Sequence, residues 1–136
     1  MSTLPTRYIT QYLVKDLSKK MVFLGGPRQV GKTTLAQKLI KNYHVGHPAY
    51  LNWDSNIDRG KIKNRDWPKS EKLIILDEVH KSKNWRNMIK GFYDTLKNTH
   101  SFLITGSARL DHFRKGGDSL LGRYHYYRLH PYSFQN

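Results

Sequence analysis

A short apolar segment that runs directly into a glycine-containing loop is the feature that most constrains the fold of this chain. Residues Met21 to Leu24 are all apolar, and Gly25 and Gly26 follow them at once. From Gly31 onward the sequence KTTLAQKLIKNY has helical periodicity, with an apolar face formed by Leu35, Ala36, Leu39 and Ile40. A buried strand, a loop and a helix in immediate succession form half of a β-α-β unit. The segment therefore favours an α/β fold with a parallel sheet.

The rest of the chain continues the alternation of strands and helices. Apolar residues at helical spacing predict amphipathic helices over residues 8–17 and 85–96, and we expect a short helix at 107–115. Residues 55–68 are polar and charged and contain Pro68, so an irregular connection is expected there. The four further strands are predicted at residues 49–53, 73–76, 101–105 and 124–129. Together these elements predict a central five-stranded parallel sheet with helices on both faces.

Length and composition exclude several classes of protein. A chain of 136 residues has room for one hydrophobic core. It contains no cysteine, which excludes disulfides, iron–sulfur clusters and thiol nucleophiles. The longest aliphatic run, Leu73 to Leu76, is far shorter than the roughly 20 residues that cross a bilayer, and the N-terminus lacks the pattern of a secretory signal. We therefore expect no membrane span and a cytoplasmic location.

The chain is strongly basic, with 24 Lys and Arg against 10 Asp and Glu and a formal net charge of +14. The basic residues are spread evenly over both halves of the sequence and form no block of like charge. A diffuse positive charge favours association with phosphates or acidic partners. Nucleic acid is therefore a possible partner that charge alone does not establish.

The loop after the first strand fits the phosphate-loop pattern G-x-x-x-x-G-K-[ST], the Walker A motif, at every fixed position. Its glycines allow the backbone to curl so that N–H groups point at phosphate oxygens. In this interpretation Lys32 reaches the β- and γ-phosphates, and the hydroxyl of Thr33 ligates Mg²⁺. A chance glycine-rich turn is the alternative, but the position between strand and helix favours phosphate binding. The predicted nucleotide-binding residues are Gly26, Pro27, Arg28, Gln29, Val30, Gly31, Lys32, Thr33 and Thr34.

Two acidic residues follow the most apolar strand of the chain. Asp77 and Glu78 come directly after Leu73-Ile74-Ile75-Leu76, as in a Walker B motif. Mg²⁺ needs oxygen ligands, and phosphoryl transfer needs a group that orients the nucleophile. We therefore predict that Asp77 holds Mg²⁺ and that Glu78 polarises the attacking water, the alternative being an ordinary acidic turn.

The sequence Asp77-Glu78-Val79-His80 also matches a D-E-x-H box of the kind found in helicases. Such helicases resemble two linked nucleotide-binding domains, which 136 residues do not hold. His80 is therefore expected to be a solvent-facing or hydrogen-bonded residue. His44, His47, His125 and His130 lack supporting ligands and are expected at the surface or in packing.

Three further residues are candidates for a catalytic role. Thr105 and Ser107 follow the fourth strand, where a hydroxyl can contact the γ-phosphate or the attacking water. Ser107 is the preferred candidate, although it could instead cap the next helix. Arg123 is a candidate arginine finger, a guanidinium offered to the γ-phosphate of a neighbouring copy, or simply one arginine of a basic chain.

In chain order the segments GGPRQVGKTTLAQKL, YLNWD, LIILDEVHK, ITGSARLD and GGDSLLGRYHYYRLHPYSF resemble the N-terminal ATPase core of the bacterial and archaeal AAA+-like P-loop ATPases of the AAA_14 type. The resemblance covers nearly all of residues 18–134. It implies that the strand leading to Ser107 lies between the phosphate-loop strand and the Asp77 strand. It also implies that Ser107 is a sensor and Arg123 an arginine finger, and that Asp54 caps the next loop.

The resemblance implies a division into an N-terminal helix at residues 1–17 and an ATP-binding core at 18–136. Members of the family typically continue beyond the segment HPYSF with a lid and a C-terminal domain, which the present chain is expected to lack. The implied activity is hydrolysis of ATP with Mg²⁺. Two alternatives stay open: a nucleotide-binding module without turnover, and a basic nucleic-acid-binding protein that ATP regulates.

Overall fold

The computed structural model describes residues 6–25, 32–106 and 123–128. The described part contains four α-helices, a 3₁₀ turn at Val79–Lys81 and five strands. The helices are α1 (Thr6–Leu17), α2 (Lys32–Leu39), α3 (Asn56–Lys63) and α4 (Trp85–Leu96). The strands are β1 (Met21–Gly25), β2 (Tyr50–Asn52), β3 (Leu73–Asp77), β4 (Ser101–Gly106) and β5 (Tyr124–Arg128).

The five strands form one parallel sheet in the order β2-β3-β4-β1-β5. β4 therefore lies between β1 and β3, as the resemblance implies. Every strand ends at the same edge of the sheet, here called the carboxyl edge, and begins at the opposite one, here called the amino edge. In such sheets ligands bind outside the carboxyl ends of the strands.

Helices cover both faces of the sheet because side chains of successive strand residues point to opposite faces. On one face Phe23 lies with its ring centroid 5.8 Å from that of Trp85 in α4. On the other face the hydroxyl of Tyr127 donates to the carboxylate of Asp16 in α1. Burial and this hydrogen bond raise the pKa of Tyr127 to about 12. The predicted three-layer arrangement is confirmed.

The core lies along the central strands and under α4. Every residue of β1 is buried, and so are five of the six residues of β4. Under α4 the ring of Trp67 lies edge-on to Phe92 at 5.2 Å and to Phe102 at 5.6 Å. Aromatic pairs in this geometry add to the stabilisation from burial alone. The packing holds α4 against β4, and β4 together with β2 and β3 carries the side chains of the candidate site.

The expectation of an irregular connection at residues 55–68 is wrong over its first half, because α3 forms there. The hydroxyl of Ser55 accepts a hydrogen bond from the N–H of Asp58 at 3.3 Å and so caps the helix. Ile62 anchors the helix, since its side chain is fully buried. Pro68 follows the end of α3 and so does not interrupt it. The helix predicted at 107–115 lies outside the described residues.

The membrane prediction concerns the helices that the structure describes. Within residues 6–25, 32–106 and 123–128, none is both long and apolar enough to span a bilayer.

Candidate functional site

The phosphate-loop segment joins two elements that the structure describes. β1 ends at Gly25 at the carboxyl edge, and α2 begins at Lys32. Lys32, Thr33 and Thr34 form the first turn of this helix. A strand and a helix therefore flank the motif, as the sequence predicts. The loop residues Gly26, Pro27, Arg28, Gln29, Val30 and Gly31 lie outside the described residues.

Asp77 lies buried at the carboxyl end of β3 and accepts hydrogen bonds from side chains on both neighbouring strands. The hydroxyl of Tyr50 donates to its Oδ2 at 2.7 Å, and the hydroxyl of Thr105 donates to its Oδ1 at 2.8 Å. The amide Nδ2 of Asn52 is 3.5 Å from Oδ2. The strand register explains this convergence, because Asn52, Asp77 and Thr105 are cross-strand partners. The sheet thus presents one oriented carboxylate.

The hydroxyl of Tyr50 is a permanent donor to Asp77. Burial raises the pKa of Tyr50 well above its ordinary value, and the charge and hydrogen bond of Asp77 raise it further. The phenol therefore stays protonated and neutral at neutral pH and above.

Glu78 follows Asp77 in a left-handed backbone conformation, with φ 63° and ψ 21°. Its N–H donates to the carbonyl of Thr105 at 2.8 Å, and the residue is buried. For a residue with a Cβ, this backbone conformation is less favourable than for glycine by about 1 kcal/mol or more. Such strain is typical of residues whose position serves function rather than stability. Glu78 therefore lies at the carboxyl edge of the sheet, as the first residue after β3.

Two cationic or titratable side chains lie close to the Glu78 carboxylate. Nε2 of His80 is 3.4 Å from its Oε2, and Nζ of Lys81 is 3.7 Å from the same atom. The His80 side chain is only 8% exposed, so the solvent-facing alternative for His80 is wrong. Lys81 also contacts Asp54, with Nζ 2.9 and 3.0 Å from its two carboxylate oxygens. Asp54 therefore pairs with Lys81, and Ser55 caps α3.

The donor chemistry at this edge fits a magnesium ion shared with a nucleotide. Within the described part of the chain, no group of three or more His, Cys, Asp and Glu side chains is placed to enclose an ion. Mg²⁺ seldom needs such an enclosure, since it keeps several waters and binds one or two carboxylates together with phosphate oxygens. The single oriented carboxylate of Asp77 is a ligand of this kind. Thr33, the second predicted ligand, is at the start of α2.

Arg123 lies at the amino edge, away from Asp77 and Glu78 at the carboxyl edge. Its carbonyl accepts a hydrogen bond from the N–H of Met21, the first residue of β1. Its Nε is 2.8 Å from Oδ1 of Asp94 on α4, and this contact holds the pKa of Asp94 below its ordinary value. At about 3.3 Å per residue, the five residues of β1 separate the two edges by about 13 Å. Within one chain, therefore, the structure does not bring Arg123 together with Asp77 and Glu78.

The remaining candidates differ in how well the structure describes them. Ser107 lies outside the described residues, whereas Thr105, the other sensor candidate, is part of the Asp77 network. His47 is buried and accepts a hydrogen bond at Nδ1 from the N–H of Ala49 at 3.1 Å, which confirms a packing role. His125 is more than half exposed and contacts Asp16.

Sequence reasoning passed over three side chains of the site, namely Tyr50, Asn52 and Lys81. Tyr50 and Asn52 alternate along β2 and therefore point to the same face as Asp77. That alternation, at the end of a strand next to the Asp77 strand, was a usable signal. Lys81 lies three residues after Glu78, a spacing that brings two side chains together in a helical turn.

Comparison with known proteins adds a family and a fold. A family model described as an AAA domain matches residues 18–136. No curated protein matches the chain. A crystal structure of a DNA replication initiation factor matches with a TM-score of 0.53 and 20% sequence identity, over 90% of the present chain and 44% of that chain. At this identity the match supports a shared fold, and the present chain spans less than half the length of that protein.

Proposed function

The chain belongs to the AAA domain family, and from this membership we propose that it binds ATP with Mg²⁺ and hydrolyses it to ADP and phosphate. The observation that carries the proposal is the pair Asp77 and Glu78 at the carboxyl end of β3. Asp77 is oriented by hydroxyls from both neighbouring strands, and Glu78 is held buried by a left-handed turn. Orientation of a metal ligand and of a water-binding carboxylate is what phosphoryl transfer requires of a protein.

The substrate side of the proposal assigns the phosphates to residues 26–34. Backbone N–H groups of the loop and the N-terminus of α2 would hold the anionic oxygens. Lys32 would contact the β- and γ-phosphates, and Thr33 and Asp77 would hold Mg²⁺. When bound, Mg²⁺ neutralises the charge that develops on the phosphates.

The hydrolytic side assigns the attacking water to Glu78. Its carboxylate would orient the water and accept a proton from it as the bond between the β- and γ-phosphates breaks. Ser107, or Thr105 in its place, would sense the γ-phosphate. Because Arg123 lies at the amino edge, it could act as an arginine finger only toward the site of a neighbouring copy in a homo-oligomer. In the proposed division, the ATP-binding core at residues 18–136 follows an N-terminal helix at residues 1–17. The proposed location of the protein is the cytoplasm.

Hydrolysis assays on matched glutamate variants test this function. Glu78→Gln removes the base and keeps the side-chain shape, so we expect kcat to fall by a factor of about 10² to 10³ with ATP affinity retained. Glu71→Gln is the control, because Glu71 contacts His47 rather than the candidate site, and its kcat should equal that of the wild type. Tight ATP binding with no phosphate release in the wild type would instead support a nucleotide-binding module without turnover.

The amino edge supports a second candidate function, the binding of nucleic acid. A hollow there is lined by Lys19, Lys20 and Lys97, together with His100 and Ser101. Lys19 and Lys97 are exposed, and the whole chain carries a net charge of +14. Lysines at this density suit contacts to a phosphate backbone, which weaken steeply as salt rises.

Binding of a labelled oligonucleotide over a range of salt concentrations tests the second function. The variant Lys19→Gln with Lys97→Gln should weaken binding and reduce the salt slope by about 2, since about one counterion is released for each phosphate contact. Lys69→Gln, an exposed lysine that does not line the hollow, is the control. Equal slopes for all three proteins, or no binding at low salt, would exclude the amino edge as a nucleic-acid surface.

A further inference from the structure

The Asp77 carboxylate is oriented by two hydroxyls that come from opposite sides. Tyr50 on β2 donates to one oxygen and Thr105 on β4 donates to the other, at 2.7 and 2.8 Å. Both distances lie in the ordinary range of O–H···O hydrogen bonds. Rotation of the carboxylate would break both bonds, so its plane is fixed.

The donors are neutral, and this matters for a metal ligand. A lysine or arginine at the position of Tyr50 would orient Asp77 equally well but would cancel the negative charge that a divalent cation needs. A phenol orients the carboxylate and leaves its charge in place. Each carboxylate oxygen has more than one lone pair, so an oxygen that accepts from Tyr50 can still bind a cation.

Tyr50 is itself held in position by its surroundings. Its ring is edge-on to that of Tyr43 with centroids 6.0 Å apart, and it lies on β2 two residues before the partner of Asp77. A half-buried ring fixed in this way places its hydroxyl with little loss of side-chain entropy. Thr105 is fixed more firmly still, because it lies within a central strand.

From this arrangement we infer that Tyr50 is a positioning residue for the metal ligand Asp77, and that its hydroxyl sets the Mg²⁺ concentration at which the chain binds ATP. The inference rests on the proposed function, since it concerns the same site. Removal of a group that is hydrogen-bonded to a metal ligand and orients it typically lowers metal affinity by a factor of about 10 to 100. Tyr50 thereby acquires a role that the phosphate-loop and Asp77-Glu78 motifs do not contain.

The test is a Mg²⁺ titration of the binding of a fluorescent ATP analogue to the full chain. Tyr50→Phe removes only the hydroxyl, and we expect the half-saturating Mg²⁺ concentration to rise about tenfold. Binding of the analogue in EDTA should be the same as in the wild type, because the phosphate loop is unchanged. The unfolding temperature without nucleotide and Mg²⁺, measured in parallel, reports whether the fold is retained.

A matched control comes from the other edge of the sheet. Tyr93→Phe also removes a tyrosine hydroxyl that donates a hydrogen bond, in this case to the carbonyl of Lys19 at 3.2 Å. It should titrate with Mg²⁺ as the wild type does. If Tyr50→Phe does not fold, Tyr50→Met, which has a smaller and more flexible apolar side chain without a hydroxyl, takes its place.

The outcomes separate this inference from the function on which it rests. If the wild type binds the analogue and Tyr50→Phe shows an unchanged Mg²⁺ requirement, the inference is wrong and the proposed function stands. An equal loss of affinity with Mg²⁺ and in EDTA also overturns it, because the hydroxyl would then serve general packing. If the wild type binds no analogue at any Mg²⁺ concentration, the proposed function and the inference both fail.

Discussion

The two edges of the sheet use their polar side chains in different ways. At the carboxyl edge, the carboxylates of Asp77 and Glu78 are buried and contact other side chains. The side chains that contact Asp77 come from the two neighbouring strands. At the amino edge, hydroxyl groups bind main-chain carbonyls instead: Ser101 donates to Leu17 at 2.8 Å, and Tyr93 donates to Lys19. The charged groups there, such as Asp94 and its partner Arg123, lie at the protein surface.

The difference separates residues that hold the fold from residues placed for chemistry. A hydroxyl that binds a carbonyl satisfies a backbone group and joins two elements. Taking a carboxylate out of water is costly, and hydrogen bonds or ion pairs often repay only part of that cost. Buried acids at one edge, together with the strained backbone of Glu78, are therefore expected to cost stability. The hydroxyl groups of Ser101 and Tyr93 at the amino edge bind main-chain carbonyls, so their removal should affect stability rather than ATP hydrolysis.

The largest expected effect is on turnover. Asp77→Asn removes the charge of the proposed metal ligand and places an amide where Tyr50 and Thr105 both donate, so kcat should fall at least about 100-fold. Asp66→Asn, at an exposed position that follows α3, should leave kcat unchanged. Measurement of ATP hydrolysis at saturating Mg²⁺ compares the two. A similar kcat for Asp77→Asn and the wild type would remove the distinction between the edges.

A second prediction concerns the strain at Glu78. Glycine adopts the left-handed conformation at no steric cost, whereas alanine does not. We therefore expect the free energy of unfolding of Glu78→Gly to exceed that of Glu78→Ala by about 1 kcal/mol, although glycine is ordinarily the less stable of the two. Denaturant unfolding measures the difference. The same pair of substitutions at Lys61, within α3, is the control, and there the alanine variant should have the higher free energy of unfolding. A higher free energy of unfolding for Glu78→Ala than for Glu78→Gly would show that the turn is not strained.

The smallest expected effect is a pH dependence at the amino edge. The hydrogen bond from Arg123 lowers the pKa of Asp94 in the folded protein. The contact therefore adds stability at pH values above the ordinary pKa of an aspartate, about 4, and this contribution is lost as the pH falls below it. The unfolding temperature of Asp94→Asn should lie slightly below that of the wild type at pH 7 and converge with it at acid pH. A constant difference across that range would show that the charge of Asp94 is not involved.

Much of the fold could be predicted because the strands are short, strongly apolar and followed by clear signals. The run Leu73 to Leu76 and the helical stripe from Trp85 to Leu96 are examples, and the structure has both elements at those places. α3 was missed because its sequence is mostly polar. In the folded protein, α3 is stabilised by the cap from Ser55 and by the burial of one side chain, Ile62.

The candidate site was less accessible to sequence reasoning. Asp77 and Glu78 stand out because they follow an apolar strand. The contacts of Tyr50 and Thr105 with Asp77 do not, because they depend on the order in which the strands pair, and that order brings together residues 27 and 28 positions apart. Arg123 is a different case. The resemblance implies a contact with the γ-phosphate of a neighbouring copy, and the parallel pairing of β5 with β1, which places Arg123 at the amino edge, leaves that a prediction.

Binding of ATP with Mg²⁺ at the carboxyl edge is measured by calorimetric titration with ATP in the presence of Mg²⁺. We expect the wild type to bind one ATP per chain. Lys32→Ala should bind at least about tenfold more weakly, because a charge-assisted contact to phosphate is lost. Equal affinity of the two proteins for ATP, or no binding by the wild type, would show that the carboxyl edge is not an ATP site of this kind.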